Sequence, residues 1–232
     1  MAVGAPQCEV AYNVDVRTLN AVTAEPVSRH ERKERTRRAL LDAALRLFAE
    51  RGFGGVSLRE VAKQAGIVPT AFYRHFASME DLGVALVEES MRTLRGMIRS
   101  ARNDPRTSAG MIRASVRTLA EHVRANEAHY WFLIRERYGG TGAVRQAIGI
   151  ELRLFSRELA VDLARFEYLR EWSTEDLNMM ADLIVTAMLG TVLDLLEARQ
   201  GDTEADARIV RTAEKRLRLI TLGVPGWRTG QA

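Results

Sequence analysis

The chain has 232 residues, 47% of them hydrophobic, which is enough to bury a core and excludes a chain that is disordered throughout. Its single cysteine, Cys8, excludes an internal disulfide and a metal site with several cysteine ligands. The formal net charge is +4, but residues 28–76 alone contain eleven Lys or Arg against five Asp or Glu. This concentration of positive charge predicts that the segment attracts an anion such as nucleic acid.

Residues 1–28 are predicted to be a flexible arm, because their weak alternation of valine with other residues has no partner strand nearby. The chain does not open with the pattern of a cleaved export signal. Its most apolar run, residues 183–193, is shorter than a bilayer requires. We therefore expect a cytoplasmic protein with no membrane partner.

The first predicted helix extends from Ser28 to Arg51. Basic residues crowd its first half, and an apolar stripe follows from Leu40 to Phe48. Cations oppose the dipole at the start of a helix, so this arrangement favours an external anion, such as phosphate, as the partner.

The next segment is predicted to form two short helices separated by a tight turn. Ser57 and Glu60 have the spacing of a capping box, which starts the first of them. Gly66 can adopt the left-handed backbone that ends it, and Pro69 suits the first position of a second helix that extends to Phe76. The pattern is typical of a helix-turn-helix unit, whose second helix enters the major groove of DNA. The alternative is an ordinary helical hairpin in an all-α core.

The second helix of this unit divides its side chains between two faces. Ala71, Phe72 and Phe76 can pack inward. The side chains left to face outward are those of Thr70, Tyr73, Arg74 and His75. We expect Thr70 and His75 to lie nearest the bases. Phosphate contacts are predicted for Arg35, Arg37, Ser57 and Tyr73.

The rest of the chain is also predicted to be helical. A long helix starts near Ser78 and reaches residue 103, and further helices are predicted at residues 111–125, 127–138, 141–167, 173–199 and 203–222. The expected fold is all-α. It comprises a helix-turn-helix DNA-binding domain at 29–77, a ligand-binding and dimerisation domain at 78–224 and a tail at 225–232.

The C-terminal domain offers two candidate binding faces. The helix at 173–199 is apolar nearly all round, which predicts a homodimer interface shared with the helix at 203–222; a core helix in a monomer is the alternative. Methionine and aromatic side chains suit a pocket for an apolar ligand, with plain core packing as the alternative for each of them. The predicted ligand-binding residues are Met97, Trp131, Phe132, Arg135, Phe155, Met180 and Ile184.

The run Arg135–Glu136–Arg137 has two interpretations. A guanidinium at the mouth of the pocket could meet phosphate groups on a ligand. Alternatively, both arginines could pair with Glu136, Glu151 or Glu158 on neighbouring helices, and the frequency of surface ion pairs favours this interpretation.

Residues 36–76 resemble the DNA-binding domain of the TetR family of one-component transcriptional regulators. The resemblance rests on AALRLFAERGF at 43–53, SLREVA at 57–62 and YRHF at 73–76. The chain differs at Met79, where many family members have a lysine that donates to a phosphate.

Residues 29–166 are also similar to one branch of that family, the FabR/DesT-type regulators of unsaturated fatty-acid synthesis. The matching stretches include AGIVPTAFYRHF, IRASV and LIRER. This resemblance implies a pocket for a long acyl chain carried on coenzyme A or acyl carrier protein, and a dimer bound to a palindromic operator.

These features predict a ligand-responsive repressor of lipid-metabolism genes that binds double-stranded DNA as a homodimer. The alternative keeps the family but has a drug-like ligand and an efflux or detoxification gene as its target. The sequence has no HExxH, Walker, GxSxG or CxxC motif. We therefore expect neither an enzyme nor a bound metal or cofactor.

Overall fold

The computed structural model describes residues 28–102, 108–140 and 142–227, which form nine α-helices and no strand. The helices are α1 (Arg29–Arg51), α2 (Leu58–Gln64), α3 (Pro69–Phe72), α4 (Met79–Arg102), α5 (Ser108–Ala125), α6 (Glu127–Gly139), α7 (Gly142–Leu163), α8 (Thr174–Glu197) and α9 (Thr203–Leu222). The all-α prediction is confirmed. The predicted arm, apart from Ser28, and residues 228–232 of the predicted tail lie outside the described residues.

Capping side chains begin three of the helices where the sequence predicts them. Ser28 and Ser173 each accept a hydrogen bond of 3.1 Å from the backbone N–H three residues ahead, and Asp202 accepts one of 2.9 Å. Each side-chain oxygen replaces the helical partner that the first N–H groups lack. As a result, α1, α8 and α9 begin within one residue of their predicted starts.

Two boundaries predicted for the C-terminal domain are wrong. α5 begins at Ser108 rather than at 111 and continues through Gly110, because a single glycine costs only about 1 kcal/mol in a helix. α7 ends at Leu163 rather than near Glu167, and the chain turns back through a 3₁₀ turn at Glu167–Leu169. That turn places Leu169, which is fully buried, in the same cluster as Leu163.

Helices α1 to α3, with the residues between them, form a head, and α4 leads from the head into a body made of α4 to α9. In the body, α7 packs against α4 and α8, and α8 packs against α9. One hydrophobic cluster is continuous from Leu40 in α1 to Leu195 in α8. The head and the body therefore share a core.

The head meets the body at a junction formed by Phe48, Phe53, Gly83, Phe132 and Glu136. The ring centroid of Phe48 lies 5.0 Å from that of Phe53 and 5.5 Å from that of Phe132. The Glu136 carboxylate in α6 accepts a hydrogen bond of 3.3 Å from the backbone N–H of Phe53. Gly83 in α4 is buried against the Phe53 ring, so this position has no room for a larger side chain.

Gly83→Ala should lower the free energy of unfolding by about 1–3 kcal/mol. The new Cβ would lie 2.7 Å from the Phe53 ring and 2.9 Å from Val144 Cγ2, in a packed core. The matched control is Gly96→Ala in the same helix, because Gly96 is exposed and a Cβ there meets nothing within 4 Å. That control should raise the free energy of unfolding by about 0.5–1 kcal/mol. Urea denaturation followed by circular dichroism measures both, and equal stabilisation by both would contradict the packing at the junction.

Candidate DNA interface and ligand cavity

A capping box and an ion pair determine where α2 begins. The Ser57 hydroxyl accepts a hydrogen bond of 3.4 Å from the Glu60 N–H, and Glu60 accepts one of 2.8 Å from the Ser57 N–H. Arg51 at the end of α1 donates to the other carboxylate oxygen of Glu60 at 2.7 Å. The hydrogen bond from the Ser57 N–H has the largest effect and the one from Arg51 the next largest, and they lower the pKa of Glu60 to about 2. The predicted capping box is confirmed, and Gly66 takes the left-handed φ of +73° in the turn that follows α2.

α3 starts at the predicted Pro69 but ends at Phe72 rather than at Phe76. Beyond Phe72, the N–H groups of Arg74 and His75 bond to carbonyls three residues back, at 3.2 and 2.8 Å, as in a 3₁₀ turn. This tighter winding accompanies the burial of Phe76 next to Phe72, with 5.8 Å between the ring centroids. Residues 69–76, here called the recognition segment, therefore form one short helix followed by a turn.

The outer surface of this recognition segment carries groups that were predicted to meet DNA. Thr70 and Arg74 are exposed, and Tyr73 has 63% of its surface exposed. Val68, immediately before α3, has 64% of its surface exposed. Phe72 on the opposite side is fully buried. The segment thus presents a polar, aromatic and cationic surface with an apolar side chain at its start.

Arg37 and His75 are the predicted DNA-binding residues that the structure places partly inside the head. The Arg37 guanidinium lies 4.4 Å from the centroid of the Phe76 ring and donates to the His75 carbonyl at 3.4 Å. The His75 ring is half-buried, and its Nδ1 is buried with no hydrogen-bond partner among the described residues. Burial, followed by the charges of Lys33 and Arg37, lowers the pKa of His75, so the ring is neutral at pH 7. Arg37 therefore connects α1 to the turn after α3, and contact of Arg37 or His75 with DNA stays a prediction.

The two other predicted DNA-binding residues, Arg35 and Ser57, are exposed. Arg35 belongs to a series of exposed cations in the first half of α1, which also includes Arg29, Arg32, Lys33 and Arg38. The Ser57 hydroxyl also donates to the Glu60 carboxylate at 2.8 Å, so it is already engaged within α2. The exposed cations form the positive surface that attraction to phosphate requires.

A cavity of about 170 Å³ lies in the body between α4, α5, α6, α7, α8 and α9. Leucine, isoleucine, valine, methionine and phenylalanine side chains make up most of its wall. The polar side chains in the wall are those of Ser115, Tyr130, Arg137, Asp162, Tyr168 and Thr221. A wall of this composition suits an apolar ligand with a small number of polar groups.

The predicted ligand-binding residues divide into two groups. Those that line the cavity are Phe155, Met180 and Ile184. Phe132 instead is buried in the junction, and Met97 is exposed on α4. Trp131 and Arg135 pack on each other outside the cavity wall, with the guanidinium 5.3 Å from the ring centroid. These four residues lie elsewhere because α4 and α6 each turn only one side towards the cavity.

α6 contains three cavity residues that the sequence did not predict, Tyr130, Leu133 and Ile134, next to Arg137 of the run at 135–137, where one interpretation placed a guanidinium at the mouth of the pocket. Its cavity face consists of Tyr130, Leu133, Ile134 and Arg137. Their spacing of three or four residues places them on one side of the helix. Phe132 and Glu136 lie on the side that faces the head. Both the cavity side and the head side of α6 contain large apolar residues, so hydrophobicity alone does not distinguish them. A helix places the residues three, four and seven positions before Arg137 on the same side as Arg137, and this spacing would have predicted the cavity face.

Tyr130 supplies the most deeply buried polar group of the cavity wall. It is 5% exposed, and its hydroxyl has no hydrogen-bond partner among the described residues. Burial raises the pKa of Tyr130, so the phenol keeps its proton and remains a donor. An unpaired buried polar group costs about 1–3 kcal/mol, which an acceptor atom on a ligand would recover.

The run at 135–137 connects the head to the cavity within one turn of α6. Arg135 donates to the Ala49 carbonyl at the end of α1 at 2.8 Å. Glu136 accepts from the Phe53 N–H, and Arg137 lines the cavity. Consecutive residues of one helix therefore contact the end of α1, the turn before α2 and the candidate ligand site.

The ion-pair interpretation of this run is not supported. Glu151 pairs with Arg95 of α4, and Glu158 pairs with Arg99 of α4 at 2.8 Å. The two candidate carboxylates on α7 thus face α4, and the third, Glu136, accepts from the Phe53 N–H. The guanidinium of Arg137 instead lies 5.6 Å from the ring centroid of Tyr138.

α8 and α9 expose an apolar strip. Met179 and Leu183 on α8 are exposed, and Leu219 and Leu222 on α9 have 68% and 72% of their surfaces exposed. By length and composition α8 could cross a membrane, with a mean hydropathy of 1.8, so its apolar stretch is longer than the run at 183–193. Core helices of soluble proteins pass the same test, and α8 packs against α5, α6, α7 and α9.

Acid should weaken the start of α2. Because the pKa of Glu60 is lower in the folded protein than its ordinary 4.5, Glu60 contributes stability above pH 4.5 that is lost as the pH falls towards 2. The difference in free energy of unfolding between wild type and Glu60→Gln should shrink over this range, since the protonated carboxyl and the amide are both neutral. When Arg51→Met is present in both proteins, this difference in free energy of unfolding should depend less on pH, because the ion pair with Glu60 is absent. Urea denaturation at several pH values measures these differences, and a difference that is constant with pH would contradict the assigned bonds.

Comparison with known families finds a match for the head and one for the body. Residues 40–86 match the family described as "Bacterial regulatory proteins, tetR family". Residues 108–224 match the one described as "Tetracyclin repressor-like, C-terminal domain". The second match alone spans about half of the chain.

Several solved structures share this fold over nearly their whole length. The fatty acid degradation regulator FadR from Bacillus halodurans is 19% identical, with a TM-score of 0.67 over 84% of this chain and 97% of that one. A TetR-family transcriptional regulator from Streptomyces coelicolor is 19% identical, with a TM-score of 0.62 over 81% and 97%. AibR, solved in complex with isovaleryl coenzyme A and operator DNA, is 22% identical, with a TM-score of 0.60 over 78% and 97%. These likenesses show the fold, and the family matches show that the chain belongs to the TetR family of DNA-binding transcriptional regulators and is not an enzyme.

Proposed function

We propose that this regulator is a cytoplasmic repressor that binds a palindromic operator as a homodimer and responds to an apolar effector with a long acyl chain. The observation that carries the proposal is the apolar cavity, because its α6 wall belongs to the same helix that contacts the head. An occupant of the cavity would therefore touch the element that positions the recognition segment.

The exposed strip on α8 and α9 supports the homodimer. Apolar side chains such as Leu183, Leu219 and Leu222 are exposed in a single chain, and a second copy would remove them from water. A two-fold pair places two recognition segments in successive major grooves, about 34–36 Å apart. A palindromic operator presents its half-sites with the same symmetry.

The chemistry of the cavity supports an acyl effector. An acyl chain is apolar along its length, as the wall is, and a thioester carbonyl offers one acceptor for a donor such as the Tyr130 hydroxyl. Arg137 provides a cation for the phosphates of a coenzyme A carrier. Two structures with the same fold are a fatty acid degradation regulator and a complex with an acyl coenzyme A, which agrees with this class of effector.

A cationic, drug-like effector is the second candidate. The observation that favours it is Asp162, which lines the cavity and could attract a ligand cation in addition to Arg165, whose guanidinium lies 3.6 Å from its carboxylate. In that case the target would be an efflux or detoxification gene.

Tyr73→Ala and Thr70→Ala should each weaken binding to a palindromic site, selected from random duplexes with the full-length chain, by about 5- to 150-fold. Both side chains are exposed on the recognition segment. The matched control is Tyr138→Ala, which removes an exposed tyrosine of α6 and should leave the affinity unchanged. Fluorescence anisotropy measures the affinity, and native mass spectrometry counts the chains on the DNA. Unchanged affinity in both head variants would refute the proposed interface, and one chain per site would refute the dimer.

Ser115→Phe should abolish the response to effector while leaving DNA affinity without effector unchanged. Ser115 lines the cavity, and a phenyl ring there would occupy space that the acyl chain needs. Wild type should change its DNA affinity at least tenfold with oleoyl coenzyme A but not with coenzyme A alone. Ser100→Phe, at an exposed position of α4, is the control and should respond like wild type. A wild type that responds to rhodamine 6G and not to oleoyl coenzyme A would establish the second candidate instead.

A further inference from the structure

We propose that Val68 contacts the C5-methyl group of a thymine in the major groove, and so selects A·T base pairs at one position of each half-site. The proposal depends on the DNA binding of the family and not on the effector. It begins from the place of one exposed apolar side chain, at the start of α3. Among the described residues of the head, 28–78, the large hydrophobic side chains that are exposed are those of Val68 and Tyr73.

These two exposed side chains flank α3, as its N-cap and C-cap residues. The other large apolar side chains of the head are buried or half-buried, including Ile67, which packs against the core immediately before Val68. Tyr73 has a hydroxyl that can meet a phosphate or water. Val68 has only methyl groups, so its exposure brings no hydrogen bond, and an apolar group of a partner would remove these methyl groups from water.

The backbone holds Val68 in one position. It is the N-cap residue of α3, with φ −73° and ψ 145°, and its carbonyl accepts a hydrogen bond of 2.9 Å from the Ala71 N–H. Pro69 follows it and restricts the preceding residue to an extended conformation. A side chain held this way makes the contact without a large further loss of backbone entropy.

The position and chemistry of Val68 point to one kind of group on the DNA. In a helix-turn-helix protein, the N-terminal residues of the recognition helix lie against base edges. Phosphates, sugars and most base edges present polar atoms, which a valine cannot satisfy. The thymine C5-methyl is the apolar group that the major groove displays. Burial of one methyl group corresponds to about a fourfold gain in affinity for each half-site.

The test uses deoxyuridine, which pairs like thymidine but lacks the methyl group. The full-length chain first selects its site from random duplexes, and each thymine of the site is then replaced by uracil, in both half-sites together. At one position the replacement should weaken wild-type binding about 10- to 20-fold, the combined effect of two half-sites. Val68→Ala, which keeps only the Cβ methyl group, should bind the unmodified site more weakly than wild type and should lose clearly less affinity than wild type when that thymine is replaced by uracil.

Two controls separate the Val68 contact from a general loss of affinity and from a contact made by Tyr73. Val161→Ala removes an exposed valine of α7 and should respond to each uracil as wild type does. Tyr73→Ala removes the neighbouring aromatic ring and should still lose affinity with uracil at the Val68-dependent position. The proposal is overturned if every uracil position weakens Val68→Ala and wild type by the same factor. It is equally overturned if the sensitivity to uracil disappears in Tyr73→Ala and persists in Val68→Ala, or if the selected half-sites contain no thymine.

Discussion

The hydrogen bond between the Phe53 N–H and the Glu136 carboxylate is the constraint on which the relation between head and body depends. Glu136 is buried, and a buried carboxylate is costly unless hydrogen bonds compensate for the water it has lost. The packing around it permits little adjustment, because any side chain at Gly140 would collide with the Glu136 carbonyl and carboxylate. Removal of the carboxylate would leave the Phe53 N–H unpaired, and its movement would disturb the Phe48 and Phe132 rings beside it.

The same constraint gives α6 a role on both of its sides. On the side that faces the head, Phe132 and Glu136 contact the end of α1 and the turn before α2. On the other side, Tyr130 and Arg137 line the cavity. A ligand changes the population of a conformation only through a difference in affinity between conformations. An effector that regulates DNA binding would therefore have to fit the cavity better in one position of α6 than in another, and the junction would convert that difference into a movement of the head.

Local patterns predicted the parts of this structure that local chemistry determines. Ser57 and Glu60 are three residues apart and satisfy each other's backbone groups whatever surrounds them, so the start of α2 was visible in the sequence. Tertiary contacts decided the rest. α3 stops early as Phe76 is buried, and Phe132 joins the junction although its neighbour Leu133 lines the cavity. Phe76, Phe132 and Leu133 are all large apolar residues, so the sequence does not distinguish them. Each lies at a different site because of the distant segment that it packs against.

The length of α4 determines how sensitive the head is to events in the body. Its 24 residues correspond to a helix about 36 Å long, because each residue advances the axis by about 1.5 Å. A rotation of about 5° at the far end of such a helix displaces the near end by roughly 3 Å. The rise between successive base pairs of DNA is about 3.4 Å. In a dimer paired through α8 and α9, a rotation this small would move Thr70 and Val68 by almost one base pair relative to the partner's recognition segment. The shared core of head and body matters for this reason, since a flexible linker in its place would absorb the rotation before it reached the DNA.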